Sequence, residues 1–438
     1  MTGLSAASDS DLVSACICWH LQGVSLPTAT VEPAARTEAA APILRAVAAW
    51  LFLCCGMIFV MVVIGGITRL TLSGLSITEW QPVTGTLPPL SAASWVAEFE
   101  KYQQIPQYRL INAGMSLAEF QTIYWWEYVH RLWGRLIGFA YALPFLYFWL
   151  RGQLPRRLAW PLAGIFALGA AQGLLGWYMV ESGLADRVEV SQYRLVAHLA
   201  LALAIYAVTL WIALGLVVPA APKCPSPPFR GEREGPAPKA REGEVGSLSR
   251  GSGIPHRTPT LSARLGPWGG GEGEAGGPVW RRAAEAVIAL VALTIVAGGF
   301  VAGLHAGLVY NTFPLMDGGL VPADYAQLQP FVRNWFENIA AVQFDHRLLA
   351  MITAASVLAL WLVGSLAGLP RPIRLAMHGL LAVATLQFAL GVATLLLVVP
   401  IPLAAAHQGG AVLLLTAAIA LRHTLRPSQL DVAASAAI

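Results

Sequence analysis

Residues 127–150 read EYVHRLWGRLIGFAYALPFLYFWL, and they place a carboxylate, an imidazole and two guanidinium groups at the start of a long apolar run. Ionisable side chains are costly inside a membrane, and those retained there commonly serve a function. The whole chain of 438 residues is 56% hydrophobic and only 12% charged, whereas a soluble chain carries about 25% charged residues. The composition therefore predicts an integral membrane protein.

Eight apolar runs are long enough to cross about 30 Å of hydrocarbon. The predicted spans are 45–67, 129–150, 158–179, 194–218, 284–306, 343–366, 373–399 and 403–422. They predict an all-α membrane protein of eight transmembrane helices, built as two four-helix bundles at 44–218 and 284–423. The remaining segments are a disordered N-terminal tail at 1–43, a disordered linker at 219–283 and a C-terminal tail at 424–438.

Lys and Arg are concentrated in the linker, in the loops after the second and before the seventh span, and beyond the last span. By the positive-inside rule these segments and both termini are cytoplasmic. The loops 68–128, 180–193 and 307–342 then face the opposite side. No basic cluster is interleaved with aromatic residues, so nucleic acid is not an expected partner. The five cysteines form no CxxC pairs, which argues against a disulfide framework or a cysteine metal site.

The two predicted bundles are related in sequence. IGGITRLTLSGLSITEWQPVTGTLPP of the first half aligns with AGGFVAGLHAGLVYNTFPLMDGGLVP of the second, and EYVHR aligns with QFDHR. The alignment pairs Gly65 with Gly298, and further along it pairs Gln172 and Gly176 with Gln387 and Gly391. Because each half holds an even number of spans, both would insert the same way, as a parallel repeat.

Four histidines occupy matching places near one end of their spans. They are His130 and His198 in the first half, and His346 and His407 in the second. Two imidazoles on facing helices can bind both axial positions of a heme iron, so we expect one heme site in each half. Arg131 and Arg347, each next to a histidine, are expected to contact heme propionates. Interhelical hydrogen bonding and zinc binding remain the alternative interpretations, although zinc prefers more ligands than two.

The halves differ at one position of this pattern. Glu127 lies three residues before His130 and on the same helix face, whereas its counterpart Gln343 is an uncharged amide. This difference indicates chemistry in the first half and a resident cofactor in the second. Alternatively, Glu127 pairs with Arg131 or stabilises the helix start. The other histidines are predicted to be non-ligands, with the role of His305 left open: His20, His256, His305, His378 and His423.

These motifs, in their order and spacing over residues 45–422, resemble those of the heme A synthase family. The first loop lacks the cysteine pair of some bacterial members, so the chain is most similar to the proteobacterial and mitochondrial branch. The resemblance implies an oxidoreductase of the cell inner membrane that oxidises the C8 methyl of heme O to a formyl group. Two successive hydroxylations with water would give heme A for terminal oxidases.

The resemblance also implies roles for individual residues and partners. His130 and His198 would bind the substrate heme O, His346 and His407 the iron of heme b, and Glu127 would act as acid and base at the methyl. The heme sites would lie toward the periplasmic side. Membrane lipid surrounds such a protein, and heme O synthase, oxidase assembly factors and a second copy of the chain are candidate partners.

Two other classes of protein share parts of this pattern. A diheme, cytochrome-b-like, quinol-linked electron carrier would use all four histidines but would not need Glu127 on one side only. A transporter could also contain a parallel repeat, but it would place its polar groups near the middle of the membrane. The asymmetry at Glu127 favours the enzyme.

Overall fold

The computed structural model describes residues 33–80, 84–186, 188–217 and 277–426. Within these ranges the regular structure is helical, apart from an isolated bridge between Met316 and Gly319. Single 3-10 turns lie at Thr84–Thr86, Ala306–Leu308 and Phe331–Arg333. The helices are α1 (Pro33–Leu70), α2 (Ala92–Tyr102), α3 (Pro106–Leu110), α4 (Leu117–Leu150), α5 (Arg156–Asp186), α6 (Gln192–Val217), α7 (Pro278–Gly303), α8 (Asn334–Glu337), α9 (Ile339–Leu366), α10 (Arg371–Leu396) and α11 (Ile401–Thr424).

Seven of the described helices are long and apolar enough to cross a membrane. They are Pro42–Leu70 of α1, Arg156–Leu184 of α5, and the whole of α6, α7, α9, α10 and α11. These helices coincide with seven of the eight predicted spans, so a multi-pass helical membrane protein is confirmed. The eighth predicted span, 129–150, lies within α4. This helix is 34 residues long but is not one of the seven candidate membrane spans.

Several helices begin earlier than the sequence predicted. Helix α1 starts at Pro33, inside the predicted tail, and α7 starts at Pro278, inside the predicted linker. Helix α4 starts at Leu117 because Ser116 and Glu119 form a capping box, each side chain accepting the other residue's backbone N–H. The rest of the tails and linker, at 1–32, 218–276 and 427–438, lies outside the described residues.

The connection between α1 and α4 folds over the start of α4 as an aromatic cluster. Tyr102, Phe120 and Tyr124 are buried there with Leu75 and Tyr128. The rings of Phe120 and Tyr102 lie 5.1 Å apart, and those of Phe120 and Tyr124 lie 5.9 Å apart. Aromatic pairs at such distances stabilise beyond the area they bury. This packing fixes the loop from Leu75 onward against the helix that carries His130.

Helices from the two halves approach each other at glycines. A Cβ built at Gly409 of α11 would lie 3.4 Å from the ring of Phe59 in α1, and one at Gly299 of α7 would lie 3.0 Å from Val196 in α6. Small residues at such crossings let helix backbones come close in a membrane, where packing rather than the hydrophobic effect holds helices together. The two halves are therefore joined along α1–α11 and α6–α7.

Candidate active site

Each of the four predicted histidines lies against a glycine of a neighbouring helix. A Cβ built on that glycine would lie 3.0 Å from the imidazole Cε1 in the first half and 2.8–2.9 Å from it in the second, where real Cβ atoms essentially never come so close. A larger residue at the glycine would press on the ring in the first half and displace it in the second. The pairs are Gly65 with His130, Gly176 with His198, Gly298 with His346, and Gly391 with His407.

The structure brings the histidines together in the predicted pairs. His130 is within electrostatic range of His198, and His346 is within range of His407. All four rings are half-buried, and no described residue hydrogen-bonds any of their Nε2 atoms. Among the described residues, no group of three or more His, Cys, Asp and Glu could hold a metal ion by itself. Two imidazoles suit a heme, whose macrocycle supplies the other ligands of the iron.

One histidine of the second pair is anchored through Nδ1. His346 donates from Nδ1 to the Thr294 carbonyl at 3.1 Å, which leaves its Nε2 lone pair open for a metal. At His407, Nε2 of Gln387 donates to the backbone carbonyl at 2.9 Å and lies 3.1 Å from the ring Nδ1. Such partners fix the tautomer and the orientation of a ligand ring.

The first pair of histidines has no such anchors. Nδ1 of His130 and Nδ1 of His198 are buried and have no hydrogen-bond partner. Gln172, the counterpart of Gln387, donates only to the backbone carbonyl of His198, at 3.0 Å. Both halves therefore offer two imidazoles, and His346 is the one of the four whose ring donates a hydrogen bond to a backbone carbonyl.

Glu127 is almost fully buried and accepts four hydrogen bonds. Ser76 Oγ and the Ile77 N–H each donate to Oε2 at 2.8 Å. Arg131 donates to Oε1 from Nε at 3.0 Å and from Nη2 at 2.5 Å. The ion pair with Arg131, which the sequence left as an alternative interpretation, is therefore present. The same contacts hold the carboxylate on the face of α4 that carries His130.

Gln343 occupies the matching position in the second half with the opposite hydrogen-bond direction. Its Nε2 donates to the carbonyls of Ala306 at 2.9 Å and Val309 at 2.6 Å, and its Oε1 accepts from Arg347 at 3.2 Å. The first-half loop thus offers donors to a carboxylate, whereas the second-half loop offers carbonyls to an amide. This difference extends the Glu/Gln asymmetry from one side chain to the surrounding backbone.

Both predicted propionate-binding arginines fasten a connecting loop to a histidine helix. Arg131 donates to the carbonyls of Ile77 at 2.9 Å and Glu79 at 3.3 Å. Arg347 donates to the carbonyls of Tyr310 at 2.5 Å and Thr312 at 2.8 Å. The contact of either arginine with a propionate stays a prediction. In the structure each arginine holds its loop beside the adjacent histidine.

A cavity of about 160 Å³ opens beside Arg131. Arg135 and Tyr124 also line it, together with Glu79 and Glu98 of the α1–α4 connection. The guanidinium groups of Arg131 and Arg135 can attract anionic groups there, although Glu79 and Glu98 line the same cavity.

The sequence missed the residues that shape the histidine sites. The repeat alignment had matched the glycines and glutamines of the two halves, but it did not show that these residues touch the imidazoles. The other histidines lie elsewhere. His378 accepts a hydrogen bond from Trp361, and His423 packs its ring against Trp211. His20 and His256 lie outside the described residues.

Replacing Gln343 with Glu should destabilise the second half. A carboxylate cannot donate, so the buried carbonyls of Ala306 and Val309 would lose their partner and face a negative charge. Each orphaned carbonyl should lower the free energy of unfolding by about 1–3 kcal/mol. Thermal melting of the purified variant checks this, with Gln104→Glu at an exposed site as the control. Equal melting of both variants would show that the amide is not needed there.

Comparison with known proteins agrees with these features. The COX15-CtaA family, described as cytochrome oxidase assembly protein, matches residues 48–235 and 267–419. A heme A synthase of Nitrosospira multiformis is 48% identical over 89% of this chain and 96% of its own length. One from Rhodospirillum centenum is 48% identical over 91% of this chain and 94% of its own. Heme A synthase COX15 of Mus musculus is 40% identical over 92% of this chain and 84% of its own.

These matches cover all four histidines, Glu127 and both loop-fastening arginines. They span most of the chain and most of each relative, so they do not reflect one shared segment. The resemblance predicted from the motifs is confirmed, including its bacterial and mitochondrial relatives. The chain belongs to the COX15-CtaA family of cytochrome oxidase assembly proteins.

Proposed function

We propose that the protein is a heme A synthase, which oxidises the C8 methyl of heme O to the formyl group of heme A. The observation that carries this proposal is the pair of histidine sites, of which only the first has a buried carboxylate three residues before its histidine, where the second has Gln343. Each site offers two imidazoles with open Nε2 atoms, and Glu127 lies three residues from His130. The names of the relatives support the same activity.

The hydrogen bond at Nδ1 of His346 supports assigning the substrate to the first half. His346 donates from Nδ1 to a carbonyl, which suits a ligand of a heme b that stays bound. His130 and His198 have no Nδ1 partner, which suits a heme that arrives as heme O and leaves as heme A. Partners of this kind typically change metal affinity by about 10–100-fold. The substrate site would then exchange more readily than the cofactor site.

In this proposal Glu127 is the acid and base at the methyl carbon. The methyl loses electrons and protons as water adds, so a positive charge develops at the carbon in conjugation with the porphyrin. A buried carboxylate beside the reacting carbon stabilises that charge and accepts the proton of the attacking water. A heme b held by His346 and His407 would relay these electrons, one at a time, to an oxidising acceptor outside the chain.

Ser76, Ile77 and Arg131 act through Glu127. Their four hydrogen bonds hold the carboxylate in one place before substrate binds, so little reorganisation is needed during the reaction. Arg131 and Arg347 are proposed to contact the propionates through the guanidinium N–H groups that do not donate to the loop carbonyls. The cavity at Arg131 and Arg135 supports this for the first half.

The finer architecture belongs to the same proposal. With α4 as an eighth span, the protein forms two parallel four-helix bundles, α1 with α4–α6 and α7 with α9–α11. Both termini and the linker lie on the cytoplasmic side of the inner membrane, and the histidine sites lie toward the periplasmic side. The matched glycine–histidine contacts in the two halves support the repeat.

Heme extraction from the purified protein tests the proposal, with His346→Ala as the diagnostic variant. Chromatography and mass spectrometry of the parent should give heme B together with heme O, its hydroxylated forms or heme A. The His346→Ala variant should lose heme B and keep the farnesylated hemes, because it removes a ligand of the second site only. Two hemes B per chain in the parent would instead establish a diheme electron carrier.

A further inference from the structure

Arg69, the penultimate residue of α1, reaches across to the second half. Its Nε donates to the Ala302 carbonyl at 3.1 Å, and its Nη2 donates to the Gly303 carbonyl at 2.9 Å. These are carbonyls at the C-terminal end of α7, where a helix has no N–H partners of its own. A cation is also favoured there by the helix dipole. Arg69 therefore caps a helix of the other half.

Two more side chains complete the contact. Glu189, in the short connection between α5 and α6, accepts from Arg69 Nη2 at 2.7 Å. His305, directly after α7, places Nε2 at 2.8 Å from Glu189 Oε2 and at 2.8 Å from Arg69 Nη2. We call Arg69, Glu189 and His305 the axial cluster. It joins three segments of the chain, and two of them belong to the first half.

The axial cluster lies where equivalent positions of the two halves contact each other. The offset that pairs Gly65 with Gly298 also pairs Arg69 with Ala302, so the contact between them joins equivalent positions. Two equivalent positions can touch only beside the axis that relates the halves. Arginine at both would bring two positive charges together there. The chain has arginine on one side and alanine on the other, so the contact can form in one arrangement only.

The turn at His305 is common to both halves. His305 has a left-handed φ of 52°, and its repeat counterpart Leu72 has a φ of 56°, so both helices end in the same turn. A non-glycine residue in this conformation is uncommon. The second half differs in placing an imidazole there, within reach of Glu189 and Arg69.

The charges of the axial cluster are balanced. The hydrogen bond from His305, followed by the one from Arg69, lowers the pKa of Glu189 to about 2 against the opposing effect of burial. Glu189 is therefore ionised at physiological pH and compensates Arg69. The groups that face it are Arg69 from α1 and His305 from the end of α7.

We propose that the axial cluster is the positioning contact that sets the register between the two halves, and through it the separation of the two histidine pairs. Glycine crossings such as Gly299 with Val196 allow close approach, and the Tyr206–Thr416 hydrogen bond also joins the halves. The axial cluster adds an ion pair and a helix cap, whose directed contacts restrict sliding of one half along the other. That this register governs electron passage between the sites rests on the function proposed above, whereas the register itself does not.

The test is a distance measurement on the full chain. Nitroxide labels at Ala118→Cys in α4 and Ile339→Cys in α9 mark the starts of two histidine helices, and both positions are exposed. The native cysteines are replaced beforehand. Pulsed electron resonance should give one narrow distance in the parent. Arg69→Met and His305→Leu should each lose that single distance, because the cap or its partner is gone.

Two further variants separate positioning from general stability. Tyr193→Phe removes another hydrogen bond between the halves, to Glu337 at an exposed site, and should keep the single distance. Arg69→Lys keeps a cation near the α7 carbonyls and should restore it. An unchanged distance in Arg69→Met and His305→Leu, even with lower melting temperatures, would overturn the proposal. The readout does not require heme A synthesis, so it can fail or succeed independently of the proposed activity.

Discussion

Replacing Glu127 with Gln will suppress oxidation of heme O by about 10²–10⁴-fold, the usual contribution of a general acid or base. The amide cannot accept a proton from water or balance a positive charge on the methyl carbon. It keeps nearly the same shape, but its single oxygen can face either Ser76 and Ile77 or Arg131, and its NH2 group then faces the other donors. Heme binding should still survive, since neither His130 nor His198 hydrogen-bonds Glu127. Turnover of heme O and heme content, measured on the same preparation, check both statements.

The control for this variant is Glu119→Gln on the same helix. Glu119 belongs to the exposed capping box at the start of α4, and it lies outside the histidine site. Its replacement should loosen the first turn of α4 slightly and leave turnover of heme O unchanged. Full heme A output from Glu127→Gln would remove Glu127 from the mechanism and return it to a structural ion pair with Arg131.

Replacing Gly391 with Ala will weaken heme b binding by about tenfold, or about 1.4 kcal/mol. The new Cβ would lie 2.8 Å from Cε1 of His407, so the imidazole must move away from α10. A ligand ring that moves loses its orientation toward the iron and its contact with Gln387. Heme b per chain, measured by its absorbance after reduction, is the readout.

Gly379→Ala is the matched control because Gly379 lies on the same helix with no atom within 4 Å of its built Cβ. It should keep heme b and gain up to about 1 kcal/mol from the better helix propensity of alanine. In the first half, Gly176→Ala and Gly173→Ala form the corresponding pair. Equal heme b in Gly391→Ala and Gly379→Ala would show that the glycine does not position His407.

The pairing of the histidines could be predicted because they are single residues at repeated positions, whereas their binding of hemes stays a prediction. Membrane spans follow from apolar length, and seven of the eight are confirmed. The start of α4 was predicted too late, although Ser116 and Glu119 show a capping box in the sequence itself. That signal precedes the apolar run and belongs to the same helix, so apolar length alone missed it.

Contacts between distant segments could not be predicted in this way. Nothing in the sequence near His305 indicates that Arg69 and Glu189 will surround it, because the contact depends on how the helices cross. The same holds for Arg131 and Arg347. Their charge suggested an anionic ligand, whereas the structure shows that loop carbonyls already use part of each guanidinium group.

The opposite hydrogen-bond directions at Glu127 and Gln343 bear on how a duplicated protein diverges. Glutamate and glutamine codons differ by one base, so the side chains alone could be exchanged by a single mutation in either half. The loops cannot follow so easily, because one turns N–H and hydroxyl groups inward and the other turns carbonyls inward. Gln343→Glu would place a carboxylate against carbonyl oxygens, and Glu127→Gln would place an amide NH2 group against hydrogen-bond donors. The different hydrogen bonding of Glu127 and Gln343 is thus set by the loops around them, which a single base change at either codon would not alter.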